Sequence, residues 1–282
     1  MTGLSRVDWP SALHAAVAAC GDGCAAFLEA VLGDEAEAKP ELVWLVLRYF
    51  GVLTADRVRK RLPALRVEAE SRMRASAATA RGMRAGSGEV AVGAVAPSHA
   101  GFFALDLWQV QHRRFDGGMS PLLTREVFIA GDAVTVLPYD PVRDRVLLVE
   151  QVRMGPLGRG DPLPWQLEAI AGRIDPGETP EDAARREAVE EAGLVLGCLE
   201  KVAEYYPTPG AVTEYLYSYV ALCDLPDGVA GVFGAAAEAE DIKGHLVGFD
   251  RLVEVMAAGE IGNAPLLLTV LWLQRERDRL RG

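Results

Sequence analysis

The segment from Gly172 to Leu194 constrains the fold of this chain most, because it carries signals that begin and end a helix. It reads G-R-I-D-P-G-E-T-P-E-D-A-A-R-R-E-A-V-E-E-A-G-L. Thr179 is a residue type that caps helix N-termini, and Pro180 suits the first helical position. Gly193 can take the left-handed conformation that ends a helix. The sequence therefore predicts a helix over residues 180 to 192.

Three glutamates, Glu187, Glu190 and Glu191, stand at positions i, i+3 and i+4 of this helix. That spacing places their carboxylates on one helix face, within about 6 Å of each other, where they repel. A hard divalent ion relieves the repulsion: Mg²⁺, or Mn²⁺ as an alternative, takes oxygen ligands and shares substrate phosphates. Arg186 can pair with a carboxylate and orient it. We predict a metal site that cleaves a diphosphate, the simpler alternative being a solvated acidic helix.

The charge distribution indicates two regions. The formal net charge of the 282 residues is −11, which disfavours a protein whose main partner is nucleic acid. Residues 1 to 95 hold 12 basic and 11 acidic side chains, so the acidity belongs to the rest of the chain. Apolar residues recur at helical spacing from Trp9 to about Leu32 and from Glu41 to Val52. We predict a mainly helical region over residues 1–95, with a linker rich in Ala, Gly and Ser at 75–98.

A basic segment lies within this first region. Between Thr54 and Arg84 the chain has nine basic and three acidic residues, and Pro63 must break or kink any helix there. The positive charge fits an RNA or phosphate patch, but a solvated helix face or a dimer contact is the simpler and favoured interpretation.

Cysteine content and hydropathy bear on the compartment. The four cysteines are too few and too scattered for a disulfide scaffold, and Cys20 and Cys24 lack the further ligands that a zinc site requires. The longest apolar run, Leu42 to Leu53, is short and is interrupted by Arg48. The N-terminus lacks the pattern of a secretory signal. A cytoplasmic protein that does not cross a membrane is expected.

After residue 95 the pattern changes to short runs of β-branched and aromatic residues between turns. Predicted strands cover Phe102 to Val110, Ala133 to Leu137, Arg145 to Val152, Trp165 to Ile170, Val202 to Tyr206 and Tyr215 to Leu222. Helices are predicted near Phe249 to Ala258 and Ala264 to Arg281. The class is mixed α/β.

The segment from Gly172 to Leu194 resembles the Nudix box, G-x5-E-x7-R-E-U-x-E-E-x-G-U with U aliphatic. The matching positions are Gly172, Glu178, Arg186, Glu187, Glu190, Glu191, Gly193 and Leu194. Ala188 fills the first aliphatic position with a smaller side chain than usual. The resemblance implies a Nudix-type α/β/α sandwich with a mixed sheet over residues 96–282, preceded by the helical region, and a Mg²⁺-dependent hydrolase.

Further blocks from about residue 100 to 275 resemble the bacterial ADP-ribose pyrophosphatases. Pro209 stands 16 residues beyond Gly193, although a proline there can simply turn a loop. G-F-F-A-L-D-L begins at Gly101, R-E-V-F at Arg125 and E-Q-V-R at Glu150. The resemblance implies an arm at about 99–128 that is swapped in a homodimer.

The same resemblance implies roles for individual residues. Phe102 would stack on adenine, where core packing is the alternative; Arg125 would reach the substrate across the dimer, Arg153 the pyrophosphate and Glu214 the terminal ribose. The segment from Asp224 to Asp241 resembles the family's catalytic loop, which implies Glu238 as the general base. The implied metal shell comprises Glu187, Glu190, Glu191, Glu240 and the backbone carbonyl of Ala171, with Glu191 and Arg186 also counted as catalytic.

The expected activity is therefore hydrolysis of ADP-ribose to AMP and ribose 5-phosphate. Another nucleoside diphosphate sugar, such as ADP-glucose or GDP-mannose, is the alternative substrate. A Nudix-fold sensor that binds ADP-ribose without cleaving it, or an enzyme that acts on RNA ends through the basic segment, are alternatives from other classes. The role of residues 1–95 stays open.

Overall fold

The computed structural model describes residues 23–33, 38–77, 89–234 and 240–282. The chain forms two compact units. Unit 1 comprises residues 1–131 and 208–214, and unit 2 comprises residues 132–207 and 215–282. This division falls later in the chain than residue 95, and the predicted two-domain scheme stays a prediction.

The described residues 23–33 and 38–77 of unit 1 are mainly helical, as the sequence predicted. The helices are α1 (Gly23–Leu32), α2 (Pro40–Leu47), α3 (Ala55–Arg59) and α4 (Leu62–Ser76). Leu45, Tyr49, Val58 and Leu65 are fully buried in their shared core. Pro63 lies in the first turn of α4, where a missing backbone donor costs least, so it separates α3 from α4 as predicted. Residues 9–22 of the first predicted helix lie outside the described residues.

The second half of unit 1 is a three-stranded antiparallel sheet, ordered β1-β2-β3. Its strands are β1 (Val90–Ala100), β2 (Ala104–His112) and β3 (Leu123–Ile129). The linker predicted at 75–98 was wrong for residues 90–98, which pair with β2. Cross-strand pairing outweighs the weak strand propensity of this Ala- and Gly-containing segment. Residues 78–88 lie outside the described residues.

Unit 2 is built on a mixed sheet. Its strands are β4 (Ala133–Asp140), β5 (Arg145–Val152), β6 (Trp165–Glu168), β7 (Ile170–Arg173), β8 (Leu199–Tyr205), β9 (Leu216–Leu222), β10 (Val232–Phe233) and β11 (Ile242–Gly248). The main order is β10-β11-β5-β4-β9-β8, with β6 paired to β5 and β7 to β4. Only β4 and β9 run parallel among these described pairs.

Helices cover both faces of this sheet. The covering helices are α6 (Pro180–Ala192), α7 (Phe249–Ala257) and α8 (Ala264–Arg281), whereas the short α5 (Met154–Arg159) has no buried residue. Val134 and Val136 of β4 pack in the core that includes α6, whereas Leu137 and Tyr139 pack in the core formed with α7 and α8. This burial on both faces explains why every residue of β4 is buried. The predicted α/β/α sandwich with a mixed sheet is confirmed.

Two remaining expectations concern the membrane and the cysteines. None of the helices in the described part of the chain combines the length and apolar character that a membrane crossing requires. Cys24 is buried, whereas Cys20 lies outside the described residues.

Candidate active site

Helix α6 begins and ends at the predicted residues. The Thr179 hydroxyl accepts a hydrogen bond from the Asp182 N–H at 3.1 Å, and the Asp182 carboxylate accepts one from the Thr179 N–H at 3.4 Å. This reciprocal pair is a capping box, and Pro180 follows in the first turn. Gly193 has φ 61°, the left-handed conformation expected of a helix C-terminus. Local capping therefore fixes where the carboxylate-bearing helix lies in sequence.

Small side chains attach α6 to the sheet. Its buried residues are Ala183, Ala184, Ala188, Glu191 and Ala192. Methyl groups allow the helix axis to approach the sheet closely, so the one buried acid among them lies next to the strand backbone. Glu191 is only 3% exposed, and one of its carboxylate oxygens accepts a hydrogen bond from the Ala171 N–H at 3.1 Å. The first turn is anchored as well, because the Tyr219 hydroxyl donates to Glu181 at 3.0 Å.

Gly172 on β7 lies directly against Glu187. A Cβ at this position would be 1.8 Å from Oε1 and 1.9 Å from Cδ of Glu187. Carbon and oxygen atoms that are not bonded cannot approach so closely, so any side chain at position 172 would displace the Glu187 carboxylate. The absence of a Cβ therefore determines where this carboxylate can lie.

Arg186 connects the carboxylates to the loop that precedes α6. Its guanidinium donates to both oxygens of Glu178, at 2.8 and 3.0 Å, and to the Arg173 carbonyl at 2.9 Å. It also donates to Glu187 at 2.7 Å and to Glu190 at 3.0 Å. The predicted pairing of Arg186 with a neighbouring carboxylate is thus present, and a bidentate arginine holds both partners in a defined orientation.

Burial and mutual repulsion perturb the acids on this face. Burial raises the pKa of Glu191 to about 8; the Ala171 hydrogen bond opposes this effect, and the charges of Glu187 and Glu240 add to it. Burial also raises the pKa of Glu187, against the opposing effect of Arg186. Both carboxylates would therefore be stabilised in their charged form by an additional nearby cation.

The donor set of this face fits a hard divalent ion, although the carboxylates do not point to one common position. No group of three His, Cys, Asp or Glu side chains within residues 23–33, 38–77, 89–234 and 240–282 is arranged to hold a metal ion. Glu187 and Glu190 bind Arg186 instead. Oxygen donors that are buried, acidic and crowded are nevertheless the ligands that Mg²⁺ and Mn²⁺ prefer. The predicted metal shell stays a prediction.

Arg153 and Glu168 form an ion pair close enough to Glu191 for the Arg153 charge to affect it. Arg153 donates to Glu168 at 2.7 Å, and its charge lowers the pKa of Glu191. Burial raises the pKa of Glu168, and Arg153 opposes that effect. Glu168 was not among the predicted site residues. The signal for it was a single acid inside the otherwise uncharged strand predicted from Trp165 to Ile170.

The catalytic loop is only partly described. Residues 235–239, and with them the predicted base Glu238, lie outside the described residues. Glu240 is described, and its charge raises the pKa of both Glu187 and Glu191. Unit 2 therefore brings together Glu187, Glu190, Glu191, Glu240, Arg153, Arg186 and the Ala171 backbone.

The other predicted substrate residues belong to unit 1. Phe102, between β1 and β2, is 74% exposed, and its ring meets that of Phe103 at 4.8 Å. Such exposure is inconsistent with the core-packing alternative. Arg125 is exposed on β3 and donates to the Thr124 carbonyl at 2.9 Å. Glu214 is half-buried at the end of the segment 208–214.

Comparison with known proteins identifies relatives over most of the chain. The model of the NUDIX domain family matches residues 130–267. An ADP-ribose pyrophosphatase of Escherichia coli (strain K12) is 39% identical over 196 residues, which cover 70% of this chain and 93% of the relative. One from Haemophilus influenzae is 39% identical over 185 residues, covering 65% of this chain and 85% of the relative.

More distant likenesses agree with this result. A GDP-mannose pyrophosphatase of Enterobacter sp. (strain 638) is 33% identical over 150 residues, covering 53% of this chain and 77% of the relative. A crystal structure described as an ADP compounds hydrolase superposes with a TM-score of 0.53 at 17% identity, covering 72% of this chain and 100% of the other. At that identity the structural likeness speaks for the fold alone.

Proposed function

Because this chain belongs to the NUDIX domain family, we propose that the reaction it catalyses is the hydrolysis of ADP-ribose to AMP and ribose 5-phosphate. The observation that carries the proposal is the acidic face of α6, where Glu187 lies against Gly172 and the buried Glu191 lies near Arg153. Relatives named ADP-ribose pyrophosphatase, at 39% identity over 93% of their length, support the substrate.

A divalent cation completes the proposed site. Mg²⁺, or Mn²⁺ in its place, would be held by Glu187, Glu190, Glu191, Glu240 and the carbonyl oxygen of Ala171. When bound, the ion would neutralise part of the charge on the diphosphate. Arg186 orients two of these acids through its hydrogen bonds to Glu187 and Glu190. Arg153, whose charge lowers the pKa of Glu191, would contact the pyrophosphate.

Glu238 is the proposed general base. Its carboxylate would accept a proton from water, and the water oxygen would bond to one phosphorus while the bond from that phosphorus to the bridging oxygen breaks. The bridging oxygen leaves with the other phosphate, which gives AMP and ribose 5-phosphate. This assignment rests on the sequence of the loop, since Glu238 lies outside the described residues.

Substrate recognition would come from unit 1. Phe102, whose ring is 74% exposed, would stack on adenine, and the exposed Arg125 would pair with an anionic group. Glu214 would accept hydrogen bonds from the terminal ribose. A cytoplasmic homodimer with a swapped arm at about 99–128 is part of the proposal, with Arg125 acting across the dimer.

A second substrate class is favoured by one specific observation. The relatives include a GDP-mannose pyrophosphatase that is 33% identical over 150 residues. The same metal and diphosphate chemistry would serve GDP-mannose or ADP-glucose, because the attached groups are recognised elsewhere.

A substrate panel tests the proposal. Purified protein with Mg²⁺ would be incubated with ADP-ribose, ADP-glucose and GDP-mannose, and products would be identified by chromatography. We expect the highest kcat/KM for ADP-ribose, with AMP and ribose 5-phosphate as products and with most turnover lost in the Glu191→Gln variant. A higher kcat/KM for GDP-mannose would transfer the assignment to the second class. Binding of ADP-ribose without turnover would indicate a sensor.

A further inference from the structure

The helical region and the three-stranded sheet of unit 1 share a buried cluster of charges. Arg48, at the end of α2, has a side chain that is only 3% exposed. It donates to Glu68 of α4 at 3.1 and 3.2 Å, and it also donates to Asp106 of β2, whose side chain is fully buried. A buried charge is costly unless its partners are in place. The helices and the sheet are therefore complementary parts of one folded body.

Aromatic rings extend this cluster towards β3. The Arg72 guanidinium lies 4.6 Å from the Trp44 ring of α2 and 5.9 Å from the Trp108 ring of β2. Trp108 is paired directly with Arg125 in the β2–β3 register, and partners across an antiparallel pair project from the same face of the sheet. Trp108, which contacts Arg72 of helix α4, is thus the neighbour of Arg125, the arginine proposed to contact the substrate.

A second contact reaches the turn that carries Phe102. Arg61, which precedes α4, donates to the backbone carbonyl of Gly101. The Gly101 N–H in turn donates to the Phe103 carbonyl at 2.9 Å, which closes the turn around Phe102. Ala100 packs against the helical core. The turn is therefore tied to the helices by one charged hydrogen bond and one apolar contact.

We propose that the helical region positions the substrate-reading residues Phe102 and Arg125, with Arg61 and Arg48 as positioning residues. This inference rests on the proposed function for the roles of Phe102 and Arg125. The inference assigns a function to residues 38–77, which precede the part of the chain matched by the family model. Neither arginine needs to touch the substrate, because each acts through the backbone or side chains of the sheet.

Substitution of Arg61 tests the inference with less damage than substitution of the buried Arg48. Arg61→Met removes the donor to Gly101 and keeps an apolar stem beside the Tyr49 ring. We expect KM for ADP-ribose to rise by about 5- to 10-fold with kcat within about 2-fold, because a hydrogen bond from a charged group is lost. Arg61→Lys should recover at least about half of that change, since it restores one charged donor.

Arg59→Met is the matched control. Arg59 is an exposed arginine of the preceding helix whose side chain pairs with Asp56. Its loss should leave KM and kcat unchanged, as exposed ion pairs contribute little. If Arg61→Met does not fold, Arg61→Gln replaces it.

Amide hydrogen exchange provides a readout without substrate. In Arg61→Met we expect exchange at residues 101–107 and 123–129 to be about tenfold faster than in wild type, whereas the strands of unit 2 keep their protection. Unchanged exchange in these segments, or a fall in kcat at constant KM, would overturn the inference. If wild-type protein does not hydrolyse ADP-ribose, the proposed function fails. The exchange result still decides whether the helices stabilise the three-stranded sheet.

Discussion

Substitution of Gly172 by alanine should separate the fold of this hydrolase from its activity. The added Cβ would lie 1.8 Å from Oε1, 1.9 Å from Cδ and 2.6 Å from Cγ of Glu187. Ordinary contacts between such atoms begin at about 3.4 Å, so the carboxylate must retreat by about 1.5 Å. The Glu187 side chain can rotate away, because the nearest atoms to the methyl group all belong to this side chain and none to the backbone. Strand β7 and helix α6 should therefore remain folded.

The displacement of the Glu187 carboxylate should lower the rate of catalysis. A misplacement of about 1 Å in a catalytic arrangement can reduce the rate by about 10²-fold. We expect kcat/KM of Gly172→Ala to fall by at least that factor, which corresponds to about 2.7 kcal/mol of transition-state stabilisation. The required Mg²⁺ concentration should rise as well, since Glu187 is one of the proposed metal ligands.

Gly248→Ala provides the matched control. A Cβ at Gly248 meets no atom within 4 Å, and its φ of −63° suits alanine. Steady-state kinetics at several Mg²⁺ concentrations, with circular dichroism to verify folding, would compare both variants with wild type. If Gly172→Ala keeps a normal kcat/KM and Mg²⁺ titration, the close approach to Glu187 has no part in catalysis and the reasoning is refuted.

Three further outcomes are expected. Glu238→Gln should lower kcat by about 10²- to 10⁴-fold while keeping the fold, as loss of a general base does; near-normal turnover would reassign the base. Glu191→Gln should abolish most metal-dependent activity, and an unchanged Mg²⁺ titration would contradict that role. Asp144 is partly buried, which raises its pKa, but hydrogen bonds from Arg277, Tyr139 and Arg281 outweigh this effect and lower the pKa to about 2. Asp144→Asn should therefore reduce the free energy of unfolding by about 1–2 kcal/mol at pH 7, after allowance for solvent screening. A depressed pKa contributes stability above the unfolded value, so urea denaturation should show this gap closing as pH falls from about 4 to 2, and a gap independent of pH would disprove the charge effect.

Local signals allowed α6 to be predicted residue by residue. Thr179, Pro180 and Gly193 act within a few positions of the helix ends, so the bounds follow from capping alone. The spacing of Glu187, Glu190 and Glu191 likewise put their side chains on one face. The α/β class and the acidic face of α6 could be predicted from the sequence for this reason.

Features that depend on pairing could not be read in the same way. β11 has the sequence I-K-G-H-L-V-G, which shows little strand pattern, and it forms because it pairs with β5 over residues 243 to 248. β1 was interpreted as a linker because its stabilising partner, β2, lies beyond a turn. Glu168 is a single acid in its predicted strand, but its place in the site follows from its ion pair with Arg153. Each of these outcomes is decided by tertiary contacts rather than by propensity.

The buried alanines of α6 leave no room for larger side chains between this helix and the sheet. Ala183, Ala184 and Ala188 have no exposed surface at all. A single extra methylene there has no solvent to enter, so it must push the helix away from the sheet. Glu187 and Glu191, which contact strand β7, would move with the helix. Mutations that touch no reacting group can thereby lower the activity. A series of larger aliphatic residues at Ala188 would show how much displacement of the helix the reaction tolerates.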